Sequence, residues 1–105
     1  MSNSEEPVRQ RRQVSARVIA LMRERKAMLP FRKRIGQLHT QVAFTAARAL
    51  SPKTVDRDEI DAAYDAVRHE VERILSDIEE AVNGTGVGPA EDCRKALRVL
   101  LSRLP

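Results

Sequence analysis

Apolar residues recur every seven positions through the first half of the chain. The series consists of Val14, Leu21, Met28, Ile35, Val42 and Ala49. A seven-residue repeat places such side chains along one stripe of a helix, and this stripe must be covered by another helix. The pattern therefore predicts helical structure across residues 14–49, together with a second helix that packs on it.

Pro30 interrupts this repeat. Proline lacks a backbone N–H and clashes with the preceding turn, so we predict a first helix from about Val8 to Leu29 and a second from Phe31 to about Leu50. The spacing leaves open a kink in one long helix or a sharp turn, and the absence of loop-forming residues around Pro30 favours a kink or a tight break. Gly36 lies inside the second helix, a position that suggests close packing.

The second half of the chain contains the clearest helical pattern. Ser51-Pro52 ends the preceding helix, and Asp56 followed by Glu59 resembles a capping box. The next helix is expected to run to Val82, before Asn83-Gly84. Its apolar stripe comprises Ile60, Tyr64, Val67, Val71, Ile74 and Ile78.

A last, shorter helix is predicted from about Pro89, where proline suits the first helical turn. Its apolar positions are Cys93, Leu97, Leu100 and Leu104. No strand pattern appears, so the predicted fold is all-α: a small helical bundle of three long helices and one short C-terminal helix, with heptad-like seams. We expect a disordered N-terminus at residues 1–6 and one domain at residues 7–105.

The seam in residues 14–49 is also the predicted partner-binding surface. The chain has 105 residues, three aromatic side chains and no Trp, so its own core is modest. Small domains often gain buried apolar surface by association. We therefore expect a homodimer or a helical protein partner, which would contact Val14, Leu21, Met28, Phe31, Ile35, Leu38 and Val42.

Charge divides the chain into two unlike halves. Residues 1–50 contain 11 Lys and Arg against 3 Asp and Glu, whereas residues 51–105 contain 8 against 12. The basic half either binds nucleic acid, since phosphates attract such arrays, or is balanced by the acidic helix within the bundle. The candidate anion or nucleic-acid contacts are Arg23, Arg25, Lys26, Arg32, Lys33 and Arg34.

The segment Ala20-Leu21-Met22-Arg23-Glu24-Arg25, continuing to Ile35-Gly36-Gln37-Leu38, resembles the first long helix of the small all-helical chorismate mutases. That resemblance implies an intertwined helical dimer in which Arg and Lys side chains hold a dianionic substrate in the bundle core. Arg25, on the apolar seam, is the matching candidate for a buried anion contact. Pro30 and His39 depart from the family pattern, so the resemblance supplies a third hypothesis and no assignment.

Other chemistry has little support in the sequence. Cys93 is the single cysteine and is expected to be inert packing, while Asp65 and His69 are expected to form a surface ion pair or hydrogen bond. We predict no catalytic residue, metal or cofactor. The longest apolar run, Val18–Met22, is too short for a membrane span, and a cytoplasmic location is expected. The leading hypothesis is a non-enzymatic helical interaction or regulatory protein.

Overall fold

The computed structural model describes the backbone of residues 5–51, 56–82 and 88–105, and the side chains in these ranges from residue 15 onward. It contains three helices: α1 (Glu5–Ala49), α2 (Arg57–Ala81) and α3 (Pro89–Arg103). No strand occurs within the described ranges. The predicted all-α class is confirmed. Of the predicted disordered N-terminus, residues 1–4 lie outside the described part of the chain, and Glu5 already begins α1.

The predicted division into two helices at Pro30, and with it the count of four helices, is corrected by the structure. α1 is continuous through Pro30. Pro30 lies on the exposed side of α1, so the carbonyl that loses its helical partner there can be hydrated by solvent. On the opposite side, Met28 and Ile35 are buried in one hydrophobic core. Packing before and after Pro30 holds the helix together across the missing hydrogen bond.

The second half of α1 forms an antiparallel pair with α2. Arg48 near the end of α1 forms an ion pair with Glu59 at the start of α2, at 3.4 Å. Arg34, 14 residues earlier, contacts Asp77 near the end of α2 at 2.7 Å. Because these two pairs run in opposite sequence directions, α2 folds back along α1, and α3 then packs against both helices.

The apolar stripe predicted for α2 is confirmed, because all six of its residues are buried. The Asp56 side chain accepts a hydrogen bond from the backbone N–H of Asp58 at 2.9 Å and so caps the helix. Glu59 pairs with Arg48 instead of completing a capping box. The predicted stop at Asn83-Gly84 lies outside the described residues.

The start of α3 contacts α1 closely. Gly88 is the N-cap of α3 and has a φ of 105°, a conformation that side chains disfavour. A Cβ at this position would also collide with the Glu24 carboxylate of α1. Glycine therefore lets the chain enter α3 directly beside α1. The residues of α3 buried behind it are Ala90, Cys93, Arg94, Leu97 and Leu100.

α1 is much longer than the helices that cover it. Its 45 residues correspond to about 67 Å of helix, against roughly 37 Å for α2, at 1.5 Å per residue. Met28 is the first fully buried side chain along the described part of α1. The preceding residues, 15–27, form what we call the projecting segment, in which every side chain is exposed or half-buried.

Gly36 gives a first testable prediction. It lies inside α1 and is exposed, and apart from the adjoining backbone of α1 no atom would lie within 4 Å of an added Cβ. Close packing within the chain therefore does not explain it. We expect Gly36→Ala to raise the free energy of unfolding by about 1 kcal/mol, because alanine is the better helix former. Urea denaturation followed by circular dichroism measures the change.

The matched control is Ala43→Gly, one heptad later on the same helix and also exposed. It should lower the free energy of unfolding by about the same amount. A Gly36→Ala protein that is less stable than the natural chain would contradict the open environment around Gly36.

Candidate partner-binding surface

Most of the predicted partner-binding residues lie in the chain's own core. Met28, Ile35 and Leu38 are buried, and Phe31 and Val42 pack against the same core while half-buried. Leu21 remains at the surface, and the side chain of Val14 lies outside the described part of the chain. The seven-residue pattern identified the stripe, but it did not distinguish cover by α2 and α3 from cover by a separate molecule.

The stripe continues past the end of its cover. Val18 is 47% exposed, Leu21 50% and Met22 65%, whereas Met28 has no exposed surface. Leu21 and Met28 are seven residues apart and therefore lie on the same side of α1. This side of α1 carries apolar residues both before and after the point where α3 begins, at Pro89. They are exposed before that point and buried from Met28 onward.

A groove of about 380 Å³ marks this boundary. Its α1 side contains the apolar side chains Val18, Leu21 and Met22, and the first residues of α3 close its end. Arg25 and Arg32 supply positive charge along the groove, and Asp92 supplies one carboxylate. Apolar surface beside fixed cations suits an amphipathic ligand better than a purely apolar one.

Arg34 is held within the bundle, unlike the other candidate anion contacts. Its guanidinium group donates hydrogen bonds to Glu70 at 2.8 Å and to Asp77 at 2.7 Å. The hydrogen bonds to Asp77 and Glu70 raise the pKa of Arg34, while partial burial opposes them. The guanidinium carbon also lies 6.0 Å from the centre of the Phe31 ring. Arg34 therefore joins α1 to α2 and has little capacity left for a further anion.

The other five candidate contacts are exposed: Arg23, Arg25, Lys26, Arg32 and Lys33. Arg25 and Arg32 face the groove. At the 100° rotation per residue of a helix, Arg23 lies on the opposite side of α1, whereas Lys26 and Lys33 lie roughly a quarter turn around the helix from the groove. Arg25 and Arg32 thus interrupt the apolar stripe itself, and the other three cations lie to one side of it.

Arg25 is the residue that the chorismate mutase resemblance singled out as a buried anion contact. The structure places it at the exposed wall of the groove. The arginine that the bundle does bury is Arg94 of α3, 8% exposed, which forms ion pairs with Glu79 at 2.9 Å and Glu91 at 3.4 Å.

Sequence reasoning missed Arg94. Its position was informative, because it lies four residues after Ala90 and three before Leu97, on the buried side of α3. The Nε atom of Arg94 has no hydrogen-bond partner in the structure, although the two terminal nitrogens are paired. A guanidinium group already paired with two carboxylates joins α3 to α2 and is poorly suited to a further anion.

The remaining titratable candidates have local roles. Cys93 is buried, and burial raises the pKa of its thiol, although the nearby Arg32 acts in the opposite direction. His69 contacts the backbone oxygen of Asp65 through Nδ1 at 2.7 Å. Within the described residues, no three His, Cys, Asp or Glu side chains cluster as metal ligands would.

Comparison with known proteins adds no assignment. No family model matches this chain, and no curated protein or solved structure matches it either. The fold alone defines its class: an all-helical protein in which two shorter helices cover part of one long helix.

In the described part of the chain, no helix is long and apolar enough to cross a membrane.

Proposed function

We propose that this protein is a non-enzymatic helical interaction protein that binds a partner helix through the projecting segment of α1. The observation that carries the proposal is the exposure of Val18, Leu21 and Met22 on the stripe that is buried from Met28 onward. The partner helix would take the place on this stripe that α3 occupies further along.

Energetics support this proposal. The packed half of α1 already nucleates this helix, but the projecting segment has little tertiary packing of its own, and most helical stability in proteins comes from such packing. Full burial of one Val, Leu or Met side chain contributes about 1.5–3 kcal/mol. Covering Val18, Leu21 and Met22 would therefore stabilise both the projecting segment and the complex.

Nucleic-acid binding is the second candidate function, and the exposed cations favour it. Arg23, Lys26 and Lys33 are exposed on one side of α1, and none of them forms an ion pair with a described residue. A phosphate backbone would bind such a surface without using the apolar stripe, and its affinity would fall steeply with salt concentration.

The proposed function predicts where the protein contacts other molecules in the cell. We would replace Met22 by p-benzoylphenylalanine, a photoreactive residue, and irradiate the native host expressing the full chain. Val99 on α3 is the matched control position, because it is also a partly exposed apolar residue, at 47%. We expect discrete protein adducts from position 22 and none from position 99.

Each result of this experiment has a defined meaning. An adduct with the mass of two chains, or with another protein, supports the proposal. An adduct confined to nucleic acid favours the second candidate. The absence of any adduct from position 22, with the protein folded by circular dichroism, would overturn the proposed interaction.

A further inference from the structure

We infer that the partner helix belongs to a different protein and is acidic and amphipathic, with its apolar side against Val18, Leu21 and Met22 and its carboxylates beside Arg25. This inference rests on the proposed function and specifies the partner's chemistry. Three features of the structure support it: the charge around the groove, the covering of the other half of α1 by the acidic helix α2, and the surfaces that a second copy of the chain offers.

The charge around the groove is positive on its α1 side, where Arg25 and Arg32 outnumber the single carboxylate of Asp92 from α3. Residues 15–34 include seven Lys and Arg and a single acidic residue, Glu24. The Glu24 carboxylate lies against Gly88, where the positive end of the α3 helix dipole stabilises it. Carboxylates of a partner are therefore the groups that complement Arg25 and the neighbouring cations.

The covered half of α1 provides a precedent for this complementarity. Its apolar stripe packs against α2, a 25-residue helix with nine Asp and Glu against three Arg. Arg34 bonds to Glu70 and Asp77 across that contact. An apolar stripe flanked by arginines is thus covered, within this chain, by an acidic amphipathic helix. The projecting segment repeats the same combination of side chains without such a cover.

A second copy of the chain does not offer the same match. Its projecting segment is basic, so two of them side by side would repel. Its α2 is acidic, but Val67, Val71 and Ile74 of that helix are fully buried in its own core. Among the described helices, none combines an acidic surface with a free apolar stripe.

The positions of the apolar side chains set the binding geometry. Val18, Leu21, Met22 and Arg25 follow the spacing of one helical side, and Gly88 and Pro89 close the groove at its end. This arrangement suits the helix-in-groove mode, in which anchors at i, i+3, i+4 and i+7 of the ligand contact an apolar surface. A polynucleotide would leave these three apolar side chains uncovered.

The test uses the full chain and a fluorescein-labelled synthetic peptide of about 18 residues, or five helical turns. Its leucines occupy positions i, i+3, i+4 and i+7, and most other positions are glutamate. One control peptide has the same composition in scrambled order, and a second has lysine in place of glutamate. Fluorescence anisotropy gives the affinities. We expect the acidic amphipathic peptide to bind at least about tenfold more tightly than either control.

Two variants of the protein locate the binding surface. Leu21→Ser and Arg25→Glu should each weaken binding by roughly tenfold, the equivalent of a difference of about 1.4 kcal/mol. Both residues are exposed, so the helix content measured by circular dichroism should stay the same. The matched controls are Val99→Ser and Lys95→Glu on the exposed side of α3, and they should leave the affinity unchanged.

Three results would overturn the inference. The first is equal binding of the scrambled or lysine peptide, and the second is an affinity that Leu21→Ser does not alter. The third is a chain that dimerises by itself in sedimentation, with Leu21→Ser abolishing the dimer. In that case the partner is a second copy and the proposed function still holds.

A single-stranded DNA oligonucleotide provides a further comparison in the same anisotropy experiment. If it binds more tightly than the peptide, and Leu21→Ser does not change its affinity, the result favours nucleic-acid binding.

Failure of this inference and failure of the proposed function are distinguishable. If the photoreactive residue at position 22 captures a protein but the acidic peptide does not bind, the interaction stands and the acidic partner is rejected. If neither result is obtained, both proposals are rejected.

Discussion

Leu97→Ala is expected to lower the free energy of unfolding by about 3 kcal/mol, within the range of roughly 2–5 kcal/mol for leucine in a closed core. Leu97 has no exposed surface and belongs to the hydrophobic core that joins the three helices. Truncation removes apolar contacts and leaves a cavity that the neighbouring helices fill only in part. The measurement is urea denaturation followed by circular dichroism.

The control for this prediction lies two residues further along α3. Val99 is 47% exposed, so Val99→Ala should change the free energy of unfolding by less than about 1 kcal/mol. Similar effects for the two variants would contradict the assignment of the buried side of α3. A loss of about 3 kcal/mol is a large share of the roughly 5–15 kcal/mol that stabilises a typical domain.

Pro30→Ala is expected to raise the free energy of unfolding by about 2 kcal/mol. Proline costs about 3 kcal/mol relative to alanine inside a helix, and up to about 1 kcal/mol of this is offset because proline restricts the unfolded chain. Pro30 is exposed, so its replacement removes no core contact. The same denaturation experiment measures the gain.

A proline introduced elsewhere in α1 provides the matched control for this prediction. Ala27 precedes Pro30 by three residues, is exposed, and lies inside the same helix. Ala27→Pro should lower the free energy of unfolding by about 2 kcal/mol, because the same helix cost and the same unfolded-chain offset apply to it. If Pro30→Ala left the stability unchanged or lowered it, the continuous path of α1 through Pro30 would be in doubt.

The projecting segment links stability to the proposed function. Val18, Leu21 and Met22 contribute little to the fold of the isolated chain, because they are about half exposed or more. Substitutions there are expected to alter binding more than folding. Substitutions at Leu97 are expected to alter folding more than binding. This separation allows the binding surface to be tested in proteins that remain folded.

Much of the fold was predictable from local pattern. The spacing of apolar residues every three or four positions in α2 identified all six of its buried residues, because in an amphipathic helix this spacing places them on the one side that faces the core. Asp56 marked the start of that helix through its preference for the N-cap position. The apolar spacing of Cys93, Leu97 and Leu100 likewise indicated the buried side of α3.

The candidate site was predictable only in part. The heptad stripe identified Leu21, and the charge count identified Arg25 and Arg32, all three of which line the groove. The sequence did not show that Met28, Ile35 and Leu38 would be covered by the same chain. It allowed that the acidic helix would balance the basic half, but it did not single out Arg34 as the residue paired with Glu70 and Asp77, because residues 36 or more positions apart meet only through the fold.

The sequence by itself determined that the chain is helical, where α2 and α3 lie, and which side of each helix is apolar, because these properties depend on neighbours within one or two turns. Tertiary structure decided the rest. Packing of α2 and α3 on Met28 and Ile35 spans Pro30 in one continuous α1. The shorter lengths of those two helices end the cover at Met28 and leave Leu21 exposed, since the reach of each helix depends on how the three are aligned.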